Sequence, residues 1–385
     1  MIENDIKKER VLVVCGTRPE AIKLIPLIKE LEASPDFDVH LCVTGQHREM
    51  LDQVLSFFDV TPEYDLDLMS KNQDISDIFA LALTGITPII KELSPQWLIV
   101  QGDTSTAFAA AFAGYYNNVR VAHVEAGLRT GNIRSPWPEE GNRKLVAAIT
   151  SLHFAPTEES KANLLKEGID ESRIVVTGNT VIDALFLARE TIDSNENIQS
   201  ELEQKFDYLD TQKKLILATN HRRESFGDGI ANICKALRDL ATSEDVEILF
   251  PVHPNPNVRK CVYDQLKSVP NVHLVDPLDY SSFIYAMARS YFVISDSGGV
   301  QEEAPALGKP VLVTRSTTER PDGVTLGCAK LVGANSERIL EQAKLLLTDK
   351  DEHTRMSESG SLYGDGVASR RICRALLNGK ESTNA

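Results

Sequence analysis

Short apolar runs rich in β-branched and aromatic residues recur along the chain, separated by longer stretches in which apolar positions return with helical spacing. In the first half the runs at residues 11–16 (VLVVCG), 39–44, 97–101, 152–156 and 174–177 read as fully buried strands. A further run, VAHV, ends at Glu125, and helical periodicity covers 21–31, 47–58 and 75–93. The second half repeats the rhythm with strands at 215–219, 246–250, 272–275, 291–295 and 310–314, and a last helix spans about 367–377. Such βαβα alternation predicts a parallel sheet covered on both faces, here formed twice. The fold class expected is therefore α/β, with two doubly wound, Rossmann-like domains. The boundary is placed near Gly178, giving domains 1–177 and 178–366 with the terminal segment 367–385 packing back on the first. The polar stretch 193–214 reads as a surface excursion.

A chain of 385 residues, 42% hydrophobic and 25% charged, is long enough for two cores and has the composition of a soluble globular protein. No apolar run reaches the roughly 18 residues of a membrane span, and MIENDIKKER lacks a signal peptide's apolar core, so a cytoplasmic protein is expected. Six cysteines without paired spacing are expected to be reduced packing residues. A net charge of −15 argues against nucleic acid or an anionic membrane as partner. It leaves room for a small anion at a local cluster of arginines and helix N-termini.

Candidate chemistry concentrates in the loops that follow the strands. The stretch YFVISDSGGVQEEAPALGKPVLV at 291–313 combines a strand, a turn at Asp296, Ser297, Gly298 and Gly299, and a helix from Val300. Two glycines let the backbone approach a ligand and aim helix N–H groups at a phosphate, with Glu302 and Glu303 expected in the first helical turn. The other reading is a tight turn that needs glycine for packing. Arg18 stands where open α/β sheets place their ligands, as an anion contact or a surface salt bridge, and Lys23 shares the ambiguity. Asp103, Glu125 and Glu139 follow successive elements, each either a helix cap or a reactive carboxylate, with Arg129, Arg134 and Arg143 interleaved to pair with them or touch phosphate. His123 reads as a satisfied strand histidine. HRRESFG from His221 is a basic loop suited to an anion. His253, among three prolines, is a ligand contact or part of a rigid turn, and Arg320 follows the 310–314 strand. There is no G-x-G-x-x-G after the first-half strands, no Walker A loop and no zinc spacing, so no cofactor and no metal are expected.

These motifs, in order, are GTRPEAIK from Gly16, QHREMLDQVL from Gln46, QGDTST, HVEAGLRTG, SPWPEE, HRRESFG, SDSGG with its Glu-Glu pair, and TTERP. Together they resemble the non-hydrolysing UDP-N-acetylglucosamine 2-epimerases, across residues 11 to about 377. The resemblance implies a GT-B-like pair of domains facing across a cleft, a cytoplasmic homodimer, a UDP-sugar substrate and a place in envelope or capsule polysaccharide supply. It assigns Arg18, His221, His253, Ser297, Gly298, Gly299 and Glu303 to UDP; Arg143 and Arg320, by their placement in loops after strands, are expected as further substrate contacts. Lys23, Asp103, Glu125, Glu139 and His221 carry the catalytic roles, and Gln46, His47 and Glu49 a second, regulatory UDP-N-acetylglucosamine. Asn220 and Asp322-Gly323 depart from the family's usual residues beside the sugar or pyrophosphate pocket. A hydrolysing epimerase, a GT-B glycosyltransferase and a non-catalytic UDP-sugar sensor are the alternatives. Inverting carbon 2 without a redox cofactor requires eliminating UDP as the carbon 2 proton leaves, then adding it back after reprotonation on the other face. Carboxylates and a strong anion site suit that route.

Overall fold

The computed structural model describes residues 8–45, 48–69, 73–220, 228–318, 320–358 and 363–379. Gln46, His47 and the whole of the HRRESFG loop, His221 included, lie outside the described residues. The chain forms two compact units, one running through Leu187 and resuming at Tyr363, the other beginning at Ala188.

In the first unit a seven-stranded sheet contains β1 (Glu9–Cys15), β2 (Phe37–Val43), β3 (Tyr64–Asp65), β4 (Trp97–Gln101), β5 (Arg120–Val124), β6 (Leu152–Ala155) and β7 (Ile174–Val176). Its helices are α1 (Arg18–Glu32), α2 (Arg48–Phe57), α3 (Ile75–Leu93), α4 (Ser105–Tyr116), α5 (Glu139–Ile149), α6 (Glu158–Lys166) and α7 (Thr180–Ser194). The strand order β3-β2-β1-β4-β5-β6-β7 is parallel throughout and reverses between β1 and β4. That reversal opens a crevice at the strands' carboxyl ends, the usual ligand position in such sheets. Leu12, Val14, Leu98 and Val100 are wholly buried against α3 and α4, which explains why these strands read as continuous apolar runs. Alanine-rich α4 lies close on the sheet, since a Cβ on Gly114 would meet Val121 Cγ2 at 3.2 Å.

The second unit continues from the end of α7 with α8 (Glu196–Lys205), β8 (Lys214–Thr219), α9 (Asp228–Ser243), β9 (Val246–Pro251), α10 (Pro256–Leu266), β10 (Val272–Val275), α11 (Tyr280–Arg289), β11 (Phe292–Ser295), α12 (Gly298–Ala306), β12 (Val311–Val313), α13 (Pro321–Leu326), β13 (Ala329–Leu331), α14 (Ser336–Thr348) and α15 (Lys350–Glu358). Its six-stranded sheet, β10-β9-β8-β11-β12-β13, is also parallel, with its reversal between β8 and β11. The chain then re-enters the first unit as α16 (Ala368–Asn378), which packs on α1. Among the described residues no helix is long and apolar enough to cross a membrane.

The polar stretch at 193–214 is not a surface excursion but the end of α7 followed by α8. Asn195 caps α8 by accepting from Asn197 N and Ile198 N, and the spaced residues Leu202, Phe206 and Leu209 are buried. Phe206 stacks on Tyr285 with ring centroids 5.7 Å apart. One narrow apolar edge was enough to fix a helix whose other faces are polar.

Beneath the first sheet's carboxyl edge two buried histidines face each other in register, His123 on β5 and His153 on β6. His123 Nε2 donates to Gly102 O at 2.7 Å, while its Nδ1 and both ring nitrogens of His153 have no partner. His123 is therefore only half satisfied. Burial depresses both, to about 4 for His123 and about 3 for His153, where a charged His123 would also repel. Lowered folded values mean that the unfolded chain binds protons first, so stability is retained above pH 6.5 and lost as pH falls through the folded values. Each ring is expected to withdraw about 2 kcal/mol between pH 6.5 and 5. His153→Leu should flatten the acid limb of a denaturant-melt series; an unchanged slope would show that His153 is not what the acid acts on.

Candidate active site

The first unit's site is built at the carboxyl ends of β1, β4 and β5. Thr17 caps α1, accepting from Glu20 N, while Glu20 reaches back in a capping box. The buried Glu20 carboxylate also accepts from Gly16 N (3.2 Å), Thr17 Oγ1 (2.7 Å) and Thr104 Oγ1 (2.7 Å), fastening the Arg18 loop to the loop of Asp103. Burial raises its pKa against those hydrogen bonds. One turn into α1, Lys23 Nζ contacts both oxygens of Glu125, at 2.7 and 2.6 Å.

Glu125 follows β5 with φ +64°, in the left-handed region, and is 9% exposed. A non-glycine residue there carries local strain, a feature common where a side chain is aimed for function. Besides Lys23 it accepts from Gln101 Nε2, at the end of β4, and from Asn179 Nδ2 at 3.0 Å. Three donors among the described residues make it the focus of the candidate site. Asp103 follows Gly102, a glycine at φ +70° whose absent Cβ would lie 3.7 Å from Glu125 Oε2. Its Oδ2 accepts from Arg143 Nε at 2.7 Å and lies 2.6 Å from Arg143 Nη2, and Asn142 Nδ2 donates to Asp103 O at 2.8 Å. Arg143 also reaches Glu140 at 3.2 Å; the fully buried Glu140 accepts from the N–H groups of Thr130 and Gly131, both at 3.1 Å.

Helix α5 thus delivers Asn142 and Arg143 to the Asp103 loop, with Glu140 bracing Arg143. Glu139 begins it, and its Oε2 is buried with no hydrogen-bond partner. Neither Asp103 nor Glu125 caps a helix: Thr104 caps α4 by accepting from Ala107 N at 2.9 Å, and the next helix after Glu125 begins at Glu139, after Pro138. Among the interleaved arginines only Arg143 holds a site carboxylate. Arg129 is committed to Glu167 through Nε and Nη2, at 2.9 and 2.7 Å, and Arg134 lies in an exposed loop. Gln101, Asn142 and Asn179 were not foreseen as part of the site. Amides at element ends carry no periodic or charge signal, and only the contacts reveal them.

The second unit brings together the residues of its glycine turn. Helix α12 begins at Gly298, two residues earlier than expected, so Glu302 and Glu303 sit in its second turn rather than its first. Gly298 and Gly299 are helical, and the Ser297 hydroxyl makes no cap hydrogen bond. Glu303, 8% exposed, folds back so that its Oε2 would lie 3.6 Å from a Cβ on Gly299, within ordinary van der Waals contact. Arg320 Nε donates to the buried Glu302, and Thr318 Oγ1 donates to Gln301 Oε1 at 2.6 Å. The loop after β12 is thereby fixed to α12. His253, just beyond β9, accepts from Asn255 N on Nδ1 at 3.1 Å, which orients the ring. Glu49 is exposed in the first turn of α2.

Two doubly wound parallel sheets with loop-borne carboxylates in one unit and a glycine-turn helix in the other make this a two-domain α/β protein of the GT-B-like fold. The sequence pattern of the UDP-N-acetylglucosamine 2-epimerases matches residues 29–377, and the chain belongs to that family. It is 50% identical over 374 residues to UDP-N-acetylglucosamine 2-epimerase of Escherichia coli K12, covering 97% of this chain and all of the relative. The Yersinia pestis enzyme is likewise 50% identical, with 96% and 98% covered. The crystal structure of UDP-GlcNAc 2-epimerase from Neisseria meningitidis bound to UDP-GlcNAc superposes with a TM-score of 0.88 at 46% identity, covering 96% of this chain and 100% of that one. The Methanocaldococcus jannaschii enzyme, in complex with UDP-GlcNAc and UDP, gives 0.79 at 33% identity, with 96% and 99% covered.

Proposed function

We propose that this protein interconverts UDP-N-acetylglucosamine and UDP-N-acetylmannosamine without hydrolysis, by elimination and re-addition of UDP through a 2-acetamidoglucal. The observation that carries the reading is the pair of anchored carboxylates at the ends of β4 and β5, Glu125 clasped by Lys23 and Asp103 by Arg143. A carboxylate takes the carbon 2 proton, the C1–C2 double bond forms, and the C1–oxygen electrons leave with UDP. Another carboxyl returns a proton to the opposite face, and a UDP oxygen bonds carbon 1 again. Asp103, Glu125 and Glu139 are the groups for these transfers, with Lys23 and Arg143 holding two of them. Ser297, Gly298, Gly299, Glu303, His253, Arg18 and His221 are proposed for UDP, Arg320 through the α12 loop it braces. The UDP-sugar complexes of the Neisseria and Methanocaldococcus relatives support the ligand class.

Incubation with UDP-N-acetylglucosamine alone in deuterium oxide tests this reading. The expected product is UDP-N-acetylmannosamine carrying deuterium at carbon 2, with label in the bridging oxygen scrambled into the non-bridging phosphate oxygens. Release of UDP with free N-acetylmannosamine would replace it by the hydrolysing reaction, and reaction only with an added acceptor by glycosyl transfer. We also propose a homodimer, supported by exposed Leu81 on α3 and by Tyr115 and Tyr116, 56% and 67% exposed at the end of α4. The same preparation should scatter light at twice the chain's 42.6 kDa, and a monomer mass would overturn the dimer.

A further inference from the structure

Asn179 is 3% exposed and sits where the first unit's chain makes both its exit and its return. Its Nδ2 donates to Glu125 Oε1 at 3.0 Å, and its Oδ1 accepts from Val181 N at 3.2 Å, capping α7, the helix in which the chain passes to the second unit. Its backbone N–H donates to Tyr363 O at 2.6 Å, at the first described residue of the returning strand of chain. The approach is tight: Gly178, at φ +87°, would place a Cβ 3.2 Å from Gly364 Cα, and Gly364 would place one 3.3 Å from Asn179 O. About one turn into α7, Asp183 accepts from Ala368 N and Ser369 N at 3.2 and 2.7 Å, anchoring α16.

We infer that Asn179 is a positioning residue for the reaction: one face of its amide caps the outgoing helix while the other fixes Glu125, so that the crossing and the reactive carboxylate share one rigid joint. The role assigned to Glu125 rests on the epimerase reading. The geometry explains why an amide stands here. An N-cap needs only an acceptor, which Asp or Ser supplies equally well, but among the favoured N-cap residues Asn alone caps with one atom and donates to a carboxylate with another. Lys23 and Gln101 hold the same carboxylate from α1 and β4, and among the described residues Asn179 is the one that ties it to the crossing.

Asn179→Asp separates the two functions, because it keeps the cap and replaces the donor by a like charge beside Glu125. Its thermal midpoint is expected to fall modestly near neutral pH, where a second buried carboxylate stands beside Glu125, and to recover as the pH is lowered and the pair takes up a proton, with KM little changed. Turnover should fall about 10-fold or more, and the acid limb of the pH–rate profile should move up by about one unit, since two adjacent carboxylates hold a proton to higher pH. Asp183→Asn, which loosens the same crossing without touching Glu125, should lower the thermal midpoint and leave turnover in place. In protein labelled with carboxyl-13C glutamate, the Glu125 resonance, assigned by its loss in Glu125→Gln, should titrate higher in Asn179→Asp than in the wild type. That shift decides the inference even if the wild type fails to epimerise the sugar, an outcome that would sink the epimerase reading alone. An unchanged Glu125 titration, or a turnover loss in Asn179→Asp matched by the destabilised Asp183→Asn, would overturn the positioning role.

Discussion

Glu125→Gln is expected to lower turnover by about 100-fold or more, the usual scale for removing a general acid or base, while UDP affinity stays within a few-fold. The carboxylate sits between Lys23, Gln101 and Asn179, and glutamine preserves the side chain's size but not its charge or its ability to accept a proton. The amide must also present an N–H to at least one of these donors, so part of the clasp opens and Lys23 loses its counter-ion. Glu125 is also held at φ +64°, a left-handed backbone that aims its side chain. Single-turnover assays and UDP titration calorimetry together check the result. Turnover within ten-fold of the wild type would show that Glu125 is an electrostatic support and shift the proton transfer to Asp103 or Glu139.

Gly127→Ala should be the most damaging small substitution in the first unit, costing about 3 kcal/mol or more. An alanine Cβ there would stand 2.2 Å from Ser160 O and 2.8 Å from Ser160 C, both backbone atoms of α6, at a backbone φ of +90°. The left-handed conformation alone costs roughly 1–2 kcal/mol for a residue with a Cβ. Forcing a packed helix away adds typically 1–3 kcal/mol. Gly131, four residues on in the same motif at φ +78°, has nothing within 4 Å of its absent Cβ, so Gly131→Ala should show only the conformational part. Equilibrium urea unfolding of the two variants measures the difference. Equal losses would mean that α6 yields to the methyl group and that packing at Gly127 is softer than the distances indicate.

The two sheets, their parallel sense and the loops that carry the site were legible in the sequence because strand and helix periods are local. Residues two apart or three to four apart share a face whatever the rest of the chain does. Element edges were less legible: periodicity placed the start of α1 at residue 21, while the capping box of Thr17 and Glu20 starts the helix at Arg18. Helix α12 began at Gly298 because glycine tolerates a helical first turn, and α8 hid because Leu202 is its one buried residue in a polar stretch, with Phe206 and Leu209 buried just beyond its end.

What the sequence by itself determined is the architecture and the cast of charged groups at the strand ends, since both follow from patterns that repeat over a few residues. Only the tertiary structure decided who meets whom. Lys23 and Glu125 are 102 positions apart, Asn179 and Glu125 are 54, and Asp103 and Arg143 are 40. Arg129 and Arg143 look alike in the sequence, yet one is spent on Glu167 and the other holds Asp103. Gly127 and Gly131 look alike too, and only the position of α6 makes one of them indispensable. Each of these pairings depends on the order of strands in the sheet, which brings distant loops to one edge, and no local spacing encodes that order.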